Sequence, residues 1–579
     1  MGAQDLVSLY AASVHLLASH QRTVIDSNLM VGAPRCAFGD TRTTVKIQRI
    51  EIKNLRCFVN FSLDVEGKSI FVTGENGCGK SSLLLAVIRG LGIDQRFTIE
   101  DFGDSSLPIE VKLTITDLDS QQMAILSEHI YFGPPNRLTV GVRATWDADR
   151  EACDVVHGYP ASPWKRSTRE ERESLRIIWL PSFRDPSTLL SFLGSASLVR
   201  RLMERSGLAA AASNTAQAIE PIAASLKTEP DVRAVMAAAK GHLSKFIPGV
   251  SVGAFDVELS VVDARDLLKE LELLLTYFGL SLQISRQSSG LAQLSVFSFA
   301  AELAARDGGA PIVLDEPEIS LHPHAQRAVI ANLCLKPDRQ ALLATHSSNI
   351  LERIDPRMVV RLQRSPTDVV ATQPTGLNSA DAAALSRYST PETAEAFFAR
   401  KVILVEGLSD RLALLTLARR RGRNLDSEQT SVVALHGAGT IGSFLKLLGP
   451  NGLKLKLSGL CDVNEEGDWI KKLEQNGFGS SLTRTTLVSL GFFVSVRDLE
   501  DELVRAVGNV KVETVIDAQG EAATLKTFAA QPDKKGKPVN EVLRLFLQSR
   551  DRKVRYAPLL VEALDMGKVP QVLDDVLNA

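Results

Sequence analysis

Apolar and polar residues alternate with a period of two over residues 45–52 (Val-Lys-Ile-Gln-Arg-Ile-Glu-Ile), the pattern of a half-buried strand. Residues 69–73 read as a short buried strand, 83–88 as a helix, and 109–115 alternate again. Residues 119–170 are mixed and polar and predict little. An apolar strand follows at 176–180, closed by Pro181. From 187 to 247 the chain is rich in alanine, as at 210–212 and 234–239, which favours helix. Strand and helix patterns alternate once more from Val252 to about Val370, and a polar stretch at 371–392 reads as a linker. Strands are then predicted at 401–405, 431–435, 455–460 and 491–496 with helices between them, the rhythm of a further parallel sheet. The first 44 residues form an appendage, with a short helix at 5–21 and a loop at 31–44. The expected organisation is an α/β protein: an extension at 1–44, one unit at 45–186 and 248–370 interrupted by a helical insertion at 187–247, a linker at 371–400 and a second α/β domain at 401–579.

Composition narrows the classes. Lys and Arg number 66 and Asp and Glu 68, so no general basic coat for nucleic acid exists, although a local basic groove remains open. Six scattered cysteines without a CxxC pair argue against a disulfide framework or a zinc site and for a reducing compartment. The N-terminus lacks a secretion signal and no apolar run reaches a bilayer-spanning length, so a cytoplasmic protein without membrane contact is expected.

Gly74-Glu75-Asn76-Gly77-Cys78-Gly79-Lys80-Ser81 fits the P-loop pattern GxxxxGK[ST] between a strand and a helix. Its glycines let backbone N–H groups approach phosphates, Lys80 reaches the β- and γ-phosphates, and Ser81, followed by Ser82, holds Mg²⁺. Downstream, Pro311-Ile-Val-Leu-Asp315-Glu316-Pro317 is a buried strand ending in two carboxylates. Asp315 suits the Mg²⁺ shell and Glu316 the attacking water, against the plainer reading of a strand-end pair capping the next helix. The strand 342–345 ends in His346, a γ-phosphate sensor or a satisfied turn histidine. Ser289 and Gly290 open an apolar helix just before the Asp-Glu strand, which is also a common helix start.

In this order the motifs resemble an ABC-type ATPase head of the SMC and DNA-repair branch. The resemblance implies that Ser289 and Gly290 act on the nucleotide of a second head, hence a homodimer closing on ATP. It also places Arg56, in Asn54-Leu-Arg56-Cys-Phe58, near the nucleotide; an ordinary surface arginine is the alternative.

A second centre is expected where predicted strands end in acids: Glu406-Gly407-Leu-Ser409-Asp410, then Asp462-Val-Asn464-Glu465-Glu466, then Asp498-Leu-Glu500. Acids gathered at the carboxyl ends of parallel strands repel one another unless a divalent metal neutralises them. Singly, each reads as a solvated or helix-capping charge. Together they resemble a TOPRIM domain, and a head followed by TOPRIM resembles the OLD (overcoming lysogenization defect) family of ATP-dependent nucleases over about residues 45–570, relatives of the nuclease of the Gabija anti-phage system.

The resemblance implies Glu406, Asp410 and Asp462 as ligands of Mg²⁺ or Mn²⁺, with Glu406 also a general base. Asn464 stands where an Asp is usual, so Glu466 or Glu465 supplies the missing carboxylate or the metal count falls. Glu500 is the preferred ligand of the third cluster, and Asp498 is either a ligand or a cap. Lys553 in the basic run 550–556 is expected to stabilise phosphate charge, a solvated patch being the alternative. The function implied is a metal-dependent DNA endonuclease under ATP control in anti-phage defence, as a dimer or tetramer, with a helicase-like or other partner encoded nearby. The competitors are an ATP-gated DNA clamp with a degenerate TOPRIM site, a tRNA nuclease and a nucleotide phosphohydrolase.

Overall fold

The computed structural model describes residues 45–175, 177–192, 197–204, 228–259, 271–435 and 437–579. The expected helix at 5–21 and the alanine cluster at 210–212 lie outside them.

The head is built on a six-stranded sheet in the order Val369–Thr372, Val359–Arg364, Ile70–Gly74, Ala341–Ala344, Ile312–Asp315, Ile178–Leu180. Its members pair in parallel except at the Val369–Thr372 edge. Three of these strands (Ile70–Gly74, Ile312–Asp315 and Ala341–Ala344) are buried at every position, as a sheet covered on both faces requires. The register Ile70↔Leu342 and Ile312↔Ala341 brings the carboxyl ends of the P-loop, Asp-Glu and Thr-His strands side by side.

A seven-stranded antiparallel sheet packs beside it and takes up the segment 119–170, which contains the strands Arg137–Asp147 and Ala152–Tyr159. In the expected helical insertion, Leu198–Glu204 and Pro230–Phe246 are helices.

In the C-terminal region the four strands are Thr430–Ala434, Lys401–Val405, Lys456–Cys461 and Phe492–Val494, in that spatial order and all parallel. The helices Leu408–Arg420, Leu499–Val507 and Arg550–Ala563 cover one face through Leu414, Leu503 and Tyr556. The other face, with Leu404, Phe444 and Trp469, belongs to the same apolar cluster as Leu314, Leu343 and Phe397, so the two sheets share one core.

The segment expected as a polar linker is largely structured. It carries the helix Ser379–Arg387, capped by Asn378, whose Asp381 accepts from Lys446 Nζ at 2.7 Å and Ser443 Oγ at 3.1 Å. Its polarity serves docking as well as solvation.

Candidate functional site

The P-loop runs from the strand Ile70–Gly74 into the helix Lys80–Gly90, whose first-turn N–H groups have no intrahelical acceptors. Gly74 (φ 141°), Gly77 (φ 76°) and Gly79 (φ 105°) take the left-handed conformations that the loop demands. Lys80 is buried and donates to the carbonyls of Gly74 at 3.0 Å and Glu75 at 2.8 Å, folding the loop around its ammonium. Burial holds its pKa below the ordinary lysine range. Burial also lifts Asp315 above the usual carboxylate range, a hydrogen bond with Ser81 opposing it and Glu316 adding to it. Asp315 Oδ1 is buried without a hydrogen-bond partner. A serine hydroxyl beside a carboxylate with a spare oxygen is a donor set that fits Mg²⁺.

Glu316 has φ 45°, left-handed for a non-glycine residue, and its Oε1 lies 3.6 Å from His346 Nε2. Burial and Lys80 keep the His346 pKa low, so the ring is neutral at physiological pH. Ser289 is exposed at the start of the helix Ser289–Arg306. Arg56 is tied to Asp101 (Nε to Oδ1, 2.9 Å), which Arg89 shares at 3.0 Å.

Two residues here escaped the sequence reading. Glu318 accepts from the His346 amide at 2.6 Å and from Thr345 Oγ1 at 3.0 Å, fixing the loop that presents the histidine. Arg184 is buried and donates to the carbonyls of Asp315 (2.7 Å) and Glu316 (2.9 Å) and to Gln293 Oε1 (2.9 Å) on the helix Ser289–Arg306. Neither stands in a motif; Glu318 was signalled only by its place two residues after Glu316, and Arg184 by nothing in its own neighbourhood of the sequence.

The second centre lies at the carboxyl ends of the C-terminal strands. Glu406 follows Lys401–Val405, Asp410 sits in the first turn of Leu408–Arg420, Asp462 follows Lys456–Cys461, and Glu500 begins Leu499–Val507. Burial pushes Asp410 up to about 7, with Glu500 and then Glu406 adding to it. Asp462 is pushed up to about 8 by burial, then by Glu406 and Asp410. Glu406 and Glu500 are raised too, first by burial. Glu406 and Glu500 thus act on both Asp410 and Asp462, which puts the four carboxyls in one field. Lys553 Nζ lies 3.2 Å from Glu500 Oε2, an ion pair whose geometry falls short of a hydrogen bond. Although burial works against its charge, Glu500 and Asp462 raise the Lys553 pKa.

Among the described residues no three His, Cys, Asp or Glu side chains stand close enough together, as they lie, to hold a metal ion. The chemistry of the set nevertheless fits a divalent cation: clustered carboxyls reluctant to ionise together, with Glu406 Oε2 buried and unpartnered.

Glu466 departs from expectation. Arg484 grips both its oxygens, at 2.9 and 2.7 Å, so a basic neighbour already satisfies it. Glu465 is the acid whose charge bears on Glu406, while Asn464 is exposed. Asp498 caps Leu499–Val507 and takes Arg544 Nε at 2.8 Å and Gln548 Nε2 at 2.9 Å; burial works to raise its pKa, but Arg544 and the Asp501 amide outweigh it and lower it. It anchors the helix that carries Glu500.

A P-loop head joined to a parallel sheet with an acidic rim defines an ATPase–TOPRIM protein. Residues 69–352 match the family model described as "AAA domain, putative AbiEii toxin, Type IV TA system", and residues 397–463 match "Overcoming lysogenization defect protein-like, TOPRIM domain". The chain is 24% identical to the OLD nuclease of Thermus scotoductus over 425 residues, which is 68% of this chain and 77% of that one. It is 24% identical to the Old nuclease of Escherichia phage P2 over 163 residues, 26% of this chain and 27% of that one. Among solved structures, the C-terminal region of the Xanthomonas campestris pv. campestris OLD protein is similar at 25% identity and a TM-score of 0.27, covering 32% of this chain and 93% of that one. The protein is an enzyme that carries an AAA-type ATPase domain and a C-terminal OLD-like TOPRIM nuclease domain, and OLD nucleases are its homologues. Among the described residues no helix is long and apolar enough to cross a membrane.

Proposed function

We propose that this protein is an ATP-controlled, divalent-metal-dependent endonuclease that cuts or nicks DNA in defence against phage or other foreign DNA. One observation carries the reading: Glu406, Asp410, Asp462 and Glu500 gather at the strand ends, where Glu406 and Glu500 both add to the proton affinity of Asp410 and of Asp462, with Lys553 against Glu500. Bound Mg²⁺ or Mn²⁺ would be held by Glu406, Asp410 and Asp462, with Glu500 behind them, and would polarise the phosphodiester and acidify water. Glu406, through its unpartnered Oε2, is the acceptor for the water proton. Lys553 faces the negative charge that develops on the phosphate.

In the head, Lys80 exchanges the Gly74 and Glu75 carbonyls for phosphate oxygens, Ser81 and Asp315 hold Mg²⁺, and Glu316 with His346 addresses the γ-phosphate. The exposed Ser289 suits contact with nucleotide on a second copy, so ATP binding pairs two heads.

The test incubates the full chain with supercoiled plasmid, linear duplex, single strands and tRNA, with Mg²⁺ or Mn²⁺, with and without ATP. Metal-dependent nicking is expected, lost in Glu406→Ala and unresponsive to ATP in Lys80→Ala. Cleavage of tRNA alone overturns the DNA assignment. The exposed Asn464 and the engaged Glu466 favour a second reading, an ATP-gated clamp, and intact ATPase activity with no polymer cut decides for it.

A further inference from the structure

A cleft of about 600 Å³ opens between the P-loop and the N-terminal edge of the TOPRIM sheet, lined by residues 75–78 and by Arg361, Arg364, Arg400, Lys454 and Lys456. Lys456 begins the strand whose far end leads into Asp462, so the cleft and the acids occupy opposite ends of one sheet. Five cations face a single acid, Glu75, and Arg400 already engages both its oxygens at 2.9 and 2.7 Å.

Arg361 is 3% exposed. Its Nη1 donates to Gln363 at 2.9 Å and its Nη2 to the Ala399 carbonyl at 3.5 Å, while Nε is buried without a partner. A buried guanidinium with an unanswered N–H is costly in the absence of an anion. Arg364, Arg400, Lys454 and Lys456 are exposed around it. Next to the cleft, the Lys401 ammonium is pushed down to about 8, chiefly by burial, with Lys456 and Arg423 adding to it. No lining residue is aromatic, so the cleft offers no shelf for a base. Charge without a stacking surface suits a phosphate backbone better than a free nucleotide.

We propose that this cleft, which adjoins the P-loop along residues 75–78 and lies away from the acidic centre, is a binding site for the phosphodiester backbone of DNA. It deepens the nuclease reading and rests on it. A backbone phosphate entering beside Arg400 competes with Glu75 for the guanidinium, which links DNA occupancy to the P-loop.

The experiment measures fluorescence anisotropy of labelled single- and double-stranded 20-mers with the full chain in EDTA, where nothing is cut, over a range of salt. The variant is Arg364→Gln/Lys454→Gln/Lys456→Gln, three exposed positions outside the catalytic machinery. Expected are DNA binding weaker by about tenfold or more and a shallower salt dependence, by roughly one unit of log–log slope per cation removed. Binding of a fluorescent ATP analogue, measured with Mg²⁺ and no DNA, is expected to stay unchanged. Unaltered DNA affinity and slope overturn the proposal, as does loss of analogue binding, which would assign the cleft to the nucleotide. A wild type that binds DNA but never cuts it with Mn²⁺ removes the nuclease reading and leaves the cleft standing. A triple variant that cuts with undiminished affinity does the reverse.

Discussion

A buried guanidinium usually finds a carboxylate, yet Arg184 spends its N–H groups on the carbonyls of Pro181, Asp315 and Glu316 and on Gln293. It thereby holds Glu316 in its left-handed conformation and ties the helix that begins at Ser289 to the strand end that carries Asp315 and Glu316. Arg184→Met leaves buried carbonyls without donors, at roughly 1–3 kcal/mol each. The expected outcome is a lower melting temperature and ATP turnover reduced by about tenfold or more, with nucleotide affinity little changed. Phosphate release and fluorescent-nucleotide titration check this, and undiminished turnover refutes it. The sequence hid this role because every partner but Pro181 lies 109 to 132 residues away. Lys80 and Asp315 were legible because their chemistry is written in contiguous motifs. Glu466 misled for the opposite reason: it follows the acidic strand end, but Arg484, eighteen residues on, captures it.

At the level of elements, the P-loop needs its first glycine for space as well as for rotation. A Cβ on Gly74 would lie 2.2 Å from the Leu362 carbonyl oxygen of the neighbouring strand, whereas one on Gly77 would meet nothing within 4 Å. Gly74→Ala is therefore expected to displace the loop and abolish measurable nucleotide binding. Gly77→Ala incurs only the conformational penalty, about 1–2 kcal/mol. Calorimetric titration with an ATP analogue separates the two, and equal losses would discredit the steric argument. Most strands were readable because they are continuous apolar runs or strict alternations. Residues 119–170 were passed over although Arg137–Asp147 alternates, Leu138, Val140, Val142 and Ala144 being buried between Thr139, Arg143 and Thr145; what the pattern does not foretell is that Gly141 is buried as well. There Gly141 replaces a side chain so that the Val111 carbonyl can approach, 1.9 Å from where a Cβ would sit. The helix Ser379–Arg387 was likewise hidden, since Asp381 and its polar neighbours looked like loop until Lys446 and Ser443 met them.

Across the whole molecule, the two sheets share an apolar core, while the acidic centre works against stability. Unfolded aspartates lose their protons near pH 4, but folded Asp410 and Asp462 keep theirs up to about 7 and about 8. The unfolded chain thus binds fewer protons between these limits, and the stabilising contribution, complete below about pH 4, is lost as pH rises through the folded values. In EDTA, the melting temperature is expected to fall between pH 6 and 8.5. Mn²⁺ should raise it more at the alkaline end, and Asp410→Asn/Asp462→Asn should flatten the profile. Differential scanning fluorimetry reads all three, and a flat profile for the wild type contradicts the account.

Since Asp410 is about half protonated at neutrality and Asp462 mostly so, arming the proposed nuclease would be an exchange rather than an addition. Each cation that settled among them would drive hydrogen ions out into the surrounding water. Mild acidification would then disarm the enzyme as surely as chelation, by refilling the seats from which the metal had evicted them.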